Sequence, residues 1–257
     1  MKRFIAIEGV DGTGKTTQFN LLVEYLREQL NHPVLELDFP RYGEMSARYV
    51  ERYLNGTYGG DIAPDLVVMF YALDRWQAKP AMMNFIHSNS GGKGFIVANR
   101  YVASNLAHQG GKIANVAQRR EFYDEQMDLE FGQFNIPRPD LNFVLLLPEA
   151  VAQINIDKKA VRTYTARKRD LHEQDIDHLK SAAAAYRELC QLYPTQFIAI
   201  DCWDERARQM KTIDEIHGMI KLELSRYIGA STAFNLADVH SYPMIFRSPD
   251  DAIIPHN

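Results

Sequence analysis

A three-layer α/β fold, in which a five-stranded parallel sheet is flanked by helices, is the architecture this sequence predicts. Two observations carry that expectation. Five short apolar runs, at 4–7, 34–38, 94–98, 141–147 and 197–200, alternate with longer segments of helical spacing. Such alternation predicts parallel strands joined by crossover helices, with both faces of the sheet covered. The second observation is the segment Gly9-Val10-Asp11-Gly12-Thr13-Gly14-Lys15-Thr16, which stands between the first run and the first helical segment. That order of strand, glycine-rich loop and helix is what a phosphate-binding P-loop requires.

The physics of the loop is specific. Its glycines let backbone N–H groups converge on phosphate oxygens, Lys15 adds a mobile positive charge, and the Thr16 hydroxyl is a ligand for Mg²⁺. The N-terminus of the following helix, which includes Thr17, contributes a partial positive charge of its own. In that helix Phe19, Leu22, Leu26 and Leu30 recur three or four apart, giving one apolar stripe to lay on the sheet. Pro64 opens a further helix carrying Leu66, Met69, Tyr71, Leu73 and Trp76, and Gly91-Gly92-Lys93-Gly94 reads as the turn into the third strand. Ser181-Ala182-Ala183-Ala184-Ala185-Tyr186 lies in another strong helix former. The segment 157–170 crowds Lys158, Lys159, Arg162, Arg167, Lys168 and Arg169 together with little apolar periodicity. A charge run of this kind reads as a solvated face or, beside a triphosphate, as a mobile basic lid. Beyond Tyr227 the pattern gives way to an irregular tail punctuated by Pro243, Pro249 and Pro255, whose Phe234, Tyr242 and Phe246 favour docking over free disorder. The expected organisation is one domain over 1–228 and a tail over 229–257.

Composition narrows the class. A chain of 257 residues with 46% hydrophobic and 24% charged residues suits one large soluble domain, and its net charge of −4 argues against a nucleic-acid surface as the main partner. The longest apolar runs are far too short to span a bilayer, and the chain enters its first strand without a signal-peptide pattern, so a cytoplasmic, membrane-free location is expected. Cys190 and Cys202 show no metal-ligand spacing and read as buried or incidental thiols.

P-loops serve switches, motors and small-molecule kinases. No Asn-Lys-x-Asp base-recognition motif of a guanine-nucleotide switch is present, whereas three clusters suit a second, anionic substrate: Phe39-Pro40-Arg41, Tyr71 through Trp76, and Asn99-Arg100-Tyr101 with Ser104, His108, Gln109 and Gly110. In order and spacing, these clusters together with Glu8-Gly9 and Asp11 through Thr17 resemble the thymidylate kinase family of nucleoside monophosphate kinases, from the N-terminus to about Tyr227.

The resemblance implies a P-loop kinase fold, a homodimer, and transfer of the γ-phosphoryl group of ATP to dTMP with Mg²⁺. It implies that Arg75 and Arg100 hold the acceptor's phosphate, with Arg41 as a third ligand; guanidinium suits the task because its fork grips phosphate oxygens bidentately. Tyr71 would stack on the pyrimidine, Gln109 would meet the base edge, Tyr101 or its neighbours, Ser104 among them, would face the sugar, and Asp11 would approach the sugar and the reacting phosphates. Read alone, Tyr71 is equally a core residue of an amphipathic helix, and Arg75 equally a partner for neighbouring carboxylates. No arginine or lysine occupies the loop's variable positions, so charge neutralisation falls to the lid, with Arg162 and Arg167 the first candidates. Asn99 departs from the family's aspartate and brings no negative charge to the metal; Glu8 or Asp11 acting through water are the expected substitutes. Two other readings stay open: a kinase for another deoxynucleotide or deoxynucleoside, and a nucleotide-binding regulatory protein without catalysis.

Overall fold

The structure, a computed structural model, describes residues 3–59, 62–91, 93–158 and 176–228. The basic segment with Arg162 and Arg167 and the tail after residue 228 lie outside the described residues.

Five parallel strands form the expected sheet, in the order β2-β3-β1-β4-β5: β1 (Phe4–Glu8), β2 (Val34–Asp38), β3 (Phe95–Asn99), β4 (Leu141–Leu146) and β5 (Phe197–Asp201). β1 occupies the centre, paired on one side with β3 and on the other with β4. Both β1 and β3 are buried along their whole length, whereas the edge strands β2 and β5 are only partly covered. That gradient explains why Phe4-Ile5-Ala6-Ile7 and Phe95-Ile96-Val97-Ala98 are continuously apolar while Glu36 and Asp38 are tolerated in β2.

α1 (Lys15–Glu24) begins at the loop and turns into a π-helical stretch at Tyr25–Gln29. Its stripe is as expected: Phe19, Leu22 and Leu26 are buried and Leu30 is packed against the core. A 3₁₀ turn at Met45–Ala47 leads into α2 (Arg48–Leu54), and Pro64 starts the 25-residue α3 (Pro64–Ser88). The interior face of α3 differs from the apolar pattern. Leu66, Met69, Leu73 and Trp76 face solvent, 38–53% exposed, and the buried face is Val67, Val68, Ala72, Asp74, Arg75, Ala78 and Met82. Two charged residues lie on that inner face because each is paired there, as described below.

α4 (Val102–Gly110) and α5 (Val116–Met127) follow β3; α6 (Glu149–Asp157) follows β4; α7 (Ile176–Leu192) packs along α4 and leads to β5. A short hairpin, β6 (Trp203–Asp204) and β7 (Gln209–Met210), precedes α8 (Ile213–Ile228), which packs on α1 and β5. One core unites the sheet with these helices, and a small satellite of Val50, Tyr53, Leu54 and Val67 joins α2 to α3. Cys190 and Cys202 are free thiols whose pKa burial raises to about 12, so both are inert packing residues. Among the described residues no helix is long and apolar enough to cross a membrane.

Candidate active site

Among the described residues, the loop, Asn99, Arg100 and the acceptor candidates gather around the carboxyl ends of β1, β2 and β3, where open α/β sheets place their ligands. β1 stops at Glu8 and the chain swings through the loop with Gly9, Gly12 and Gly14 at φ of 132°, 84° and 90°. L-residues with side chains rarely adopt those values. At Gly9 and Gly12 space is an equal constraint, since a Cβ would lie 2.5 Å from the Leu145 carbonyl oxygen and 2.1 Å from that of Ala152. Thr13 Oγ1 donates to the Val10 carbonyl (2.9 Å), and Lys15 Nζ crosses the loop to the same oxygen (2.8 Å), 3.8 Å from Asp11 Oδ1. From outside, Asn155 on α6 donates to the Gly12 carbonyl (2.9 Å).

Arg100 follows β3 with a left-handed φ of 66°, its N–H bonded to the Ile7 carbonyl, so the backbone aims its side chain back over the loop. Its Nη2 meets Asp11 Oδ1 at 2.6 Å, and its Nη1 lies 3.3 Å from the Gly9 carbonyl and from Ser104 Oγ. Burial works against its charge, but Asp11, Tyr186 and Glu8 together outweigh the cost and raise the guanidinium pKa. Arg100 thus joins the triphosphate loop to the wall of a second pocket, an open cleft of ≈ 540 Å³. Asp11, Arg75, Arg100, Ser104, His108 and Gln109 line its polar side; Phe39, Pro40, Tyr42, Leu54, Tyr71 and Tyr101 line the rest. A mostly apolar cleft with convergent polar groups at one end suits a nucleotide, with base against aromatic rings and phosphate against arginine.

The structure brings most of the expected acceptor residues to this cleft and refines their tasks. Tyr71 is half-buried at its wall, backed by the α2–α3 satellite. Arg75 reaches the cleft but is gripped from behind: its Nε donates to Glu130 Oε2 at 2.7 Å and its Nη2 to Oε1, and both residues are buried. Burial opposes the charge on Arg75, and Glu130 together with Tyr101 and Asp74 more than offsets it, raising its pKa. Gln109 is buried with its Oε1 accepting from Lys112 Nζ (2.8 Å).

Three of the expected residues are held by other groups of the protein. Arg41 is closed on Asp74, through its backbone N–H (2.7 Å) and its Nε (3.0 Å), and on Ser46 Oγ (3.0 Å), and it is not among the residues lining the cleft. It anchors the loop after β2 to α3. Tyr101 lines the cleft but is fully buried against Phe4 and Phe39, and its hydroxyl donates to the Pro137 carbonyl (3.0 Å). Glu8 is engaged by three donors: Oε1 accepts from the Tyr101 N–H (2.6 Å), and Oε2 accepts from Ser104 Oγ (2.8 Å) and Tyr186 OH (2.9 Å). Its burial and three donors make it a tie between β1, α4 and α7.

Asn99 lies beside Thr16, with its Nδ2 3.4 Å from Thr16 Oγ1 and 2.9 Å from Asp38 Oδ1. Its Oδ1 is buried without a hydrogen-bond partner. An orphaned buried carbonyl beside the threonine hydroxyl fits a hydrated cation at this place.

Sequence reasoning missed Asp38, Glu130, Asn155, His178 and Tyr186. His178 at the start of α7 meets His108 Nδ1 at 3.1 Å, while His108 Nε2 lies 3.5 Å from Arg100. Because a guanidinium only donates, His108 Nε2 accepts and its Nδ1–H donates to His178. Only the aspartate adjoining Phe39-Pro40-Arg41 carried a local signal; the others come from distant segments.

This geometry defines a class: a P-loop phosphotransferase whose triphosphate loop shares one arginine with a nucleotide-sized acceptor cleft. The model of the family described as thymidylate kinase matches residues 7–213, and the chain belongs to that family of ATP-dependent nucleoside monophosphate kinases. The thymidylate kinase of Mycobacterium tuberculosis (strain ATCC 25618 / H37Rv) is 32% identical over 192 residues, covering 72% of this chain and 84% of that one. That of Clavibacter sepedonicus is 30% identical over 206 residues, covering 77% and 86%. Among solved structures, thymidylate kinase from Candida albicans aligns with a TM-score of 0.61 at 18% identity, over 88% of this chain and 92% of that one. The Ehrlichia chaffeensis enzyme gives 0.58 at 20%, over 87% and 99%. At those identities the structural likeness speaks for the fold.

Proposed function

We propose that this protein transfers the γ-phosphoryl group of ATP to dTMP, giving dTDP and ADP, with Mg²⁺ bound to the triphosphate. The observation that carries the reading is Arg100, held by Asp11 and the Gly9 carbonyl of the donor loop while lining the acceptor cleft. An acceptor phosphate oxygen attacks the γ-phosphorus and the bond to the β–γ bridging oxygen breaks, its electron pair leaving on ADP. That oxygen is already anionic at neutral pH, so no general base is required, and catalysis is alignment plus charge neutralisation. Lys15 and the loop N–H groups hold the donor, Arg100 and Arg75 the acceptor phosphate, Tyr71 and Gln109 the base, and Ser104 steadies Arg100 and Glu8. Arg162 and Arg167 of the 157–170 lid supply charge that the loop lacks. Thr16 and Asn99 would hold Mg²⁺, which when bound neutralises charge on the β- and γ-phosphates.

Residues 1–228 form the kinase unit and 229–257 the tail, acting in the cytoplasm without membrane or nucleic acid. The exposed row Leu66, Met69, Leu73 and Trp76 on α3 supports a second copy of the chain as partner, because a contiguous apolar face is self-complementary about a twofold axis. A coupled assay with ATP and a panel of monophosphates tests the reading. Turnover preferring dTMP is expected; preference for another acceptor, or ATP binding without transfer, would favour the other readings.

A further inference from the structure

β2 and β3 are parallel and in register, with Asp38 opposite Asn99 at their carboxyl ends, and Asn99 is in turn opposite Ile7 on β1. Register matters because neighbouring strands lie about 4.8 Å apart, so a group moved from one position to its partner stays within one side-chain length of the same point. Asn99 Nδ2 contacts both Asp38 Oδ1 (2.9 Å) and Thr16 Oγ1 (3.4 Å). That amide orientation is dictated chemically: turning it over would set a carbonyl oxygen against a carboxylate and leave the NH₂ without its anionic partner. The orientation leaves Asn99 Oδ1, on a side chain 6% exposed, without a partner in the protein. Asp38 itself reaches solvent; burial raises its carboxyl pKa, and Arg100, the Asn99 amide and Lys15 pull it back, which places its carboxylate in the field of the phosphate site.

We propose that Asp38 and Asn99 form a displaced carboxylate–amide pair that completes the Mg²⁺ site beside Thr16: Asp38 supplies the negative charge from β2, and Asn99 Oδ1 accepts from a metal-bound water. The inference rests on the kinase reading only in taking the cation to be the one that accompanies ATP. Neither partner does the whole task, since the amide is neutral and the carboxylate lies one strand further out.

The test uses Mn²⁺ as the spectroscopic probe, titrated by EPR into the full-length protein with a non-hydrolysable ATP analogue. Asp38→Asn is expected to weaken Mn²⁺ binding by about tenfold, the scale of losing a supporting ligand at a metal site. The exchange variant Asp38→Asn/Asn99→Asp, which returns the charge to β3, is expected to bind Mn²⁺ within about twofold of the wild type, since charge and amide are both retained. Unchanged Mn²⁺ affinity in Asp38→Asn, or an exchange variant as weak as the single one, would overturn the proposal. Analogue affinity without metal and the melting temperature, measured alongside, separate a metal effect from a folding defect. Wild-type turnover of dTMP is recorded in parallel. Turnover with metal-indifferent Asp38→Asn sinks this inference alone, and metal sensitivity without turnover sinks the kinase reading alone.

Discussion

Glu130, gripping Arg75 from behind, shows how much of this site is held by groups outside the cleft. Two buried charges are tolerated because the carboxylate takes two of the guanidinium's donors, and Asn105 Nδ2, 3.4 Å from Glu130 Oε1, flanks the same oxygen. Glu130→Gln removes the charge and keeps the shape, leaving a buried cation without its partner. The loss expected in chemical denaturation is about 3 kcal/mol, with a raised KM for dTMP because Arg75 loses its orientation. A smaller lever lies across the molecule at His217 on α8, which packs edge-on to Tyr25 (6.0 Å) with its Nδ1 unpartnered. Burial first, then Lys221, pushes its pKa from 6.5 down to about 4. The unfolded chain therefore takes up a proton near pH 6.5 that the folded one refuses until about 4. The stability His217 allows is complete above pH 6.5 and falls as pH drops through that window, by at most about 3 kcal/mol. In His217→Phe that part of the pH dependence should vanish from melts between pH 4 and 7; an unchanged wild-type-like slope would contradict it.

At the scale of elements, the P-loop separates two reasons for glycine. Gly12 combines a φ of 84° with a Cβ position 2.1 Å from a carbonyl oxygen of α6, whereas Gly14, at 90°, would meet only the mobile tip of Met210 at 3.6 Å. Gly14→Ala should therefore cost about 1 kcal/mol of backbone strain. Gly12→Ala must also push α6 away, and is expected to lose both more stability and nucleotide binding; equal costs by calorimetry would refute the distinction. The same contrast tells what the sequence could reveal. The loop and the five strands were legible because their signals are local: a fixed glycine spacing, and short strand-like runs that are continuously apolar where burial covers both faces, as in β1 and β3. α3 was legible as a helix but not in its orientation, because large apolar residues also occupy its outward face and its inward face carries Asp74 and Arg75. Glu130, Asn155, His178 and Tyr186 were invisible for a related reason. Each stands in a stretch with no local motif, and its partner comes from a distant segment of the chain.

For the whole molecule, the exposed face of α3 and the shared arginine make separate claims. If α3 joins two copies, Leu73→Glu/Trp76→Glu should lower the solution mass by light scattering from twice the chain mass to once, while leaving the melting temperature within a few degrees, since both residues are exposed in the single chain. A wild type that is already monomeric would refute the dimer. The shared arginine bears on the reaction itself, because donor loop and acceptor cleft meet at Arg100 and its partner Asp11. The direct measurement is transfer of label from [γ-³²P]ATP to dTMP, with dTDP resolved, in the wild type and in Arg100→Ala. Labelled dTDP should form in the wild type and its rate fall by about 10³-fold in Arg100→Ala, the scale of losing a phosphate-stabilising arginine, with ATP analogue binding retained. Absence of labelled dTDP from the wild type, or an equal rate in the variant, would contradict the account.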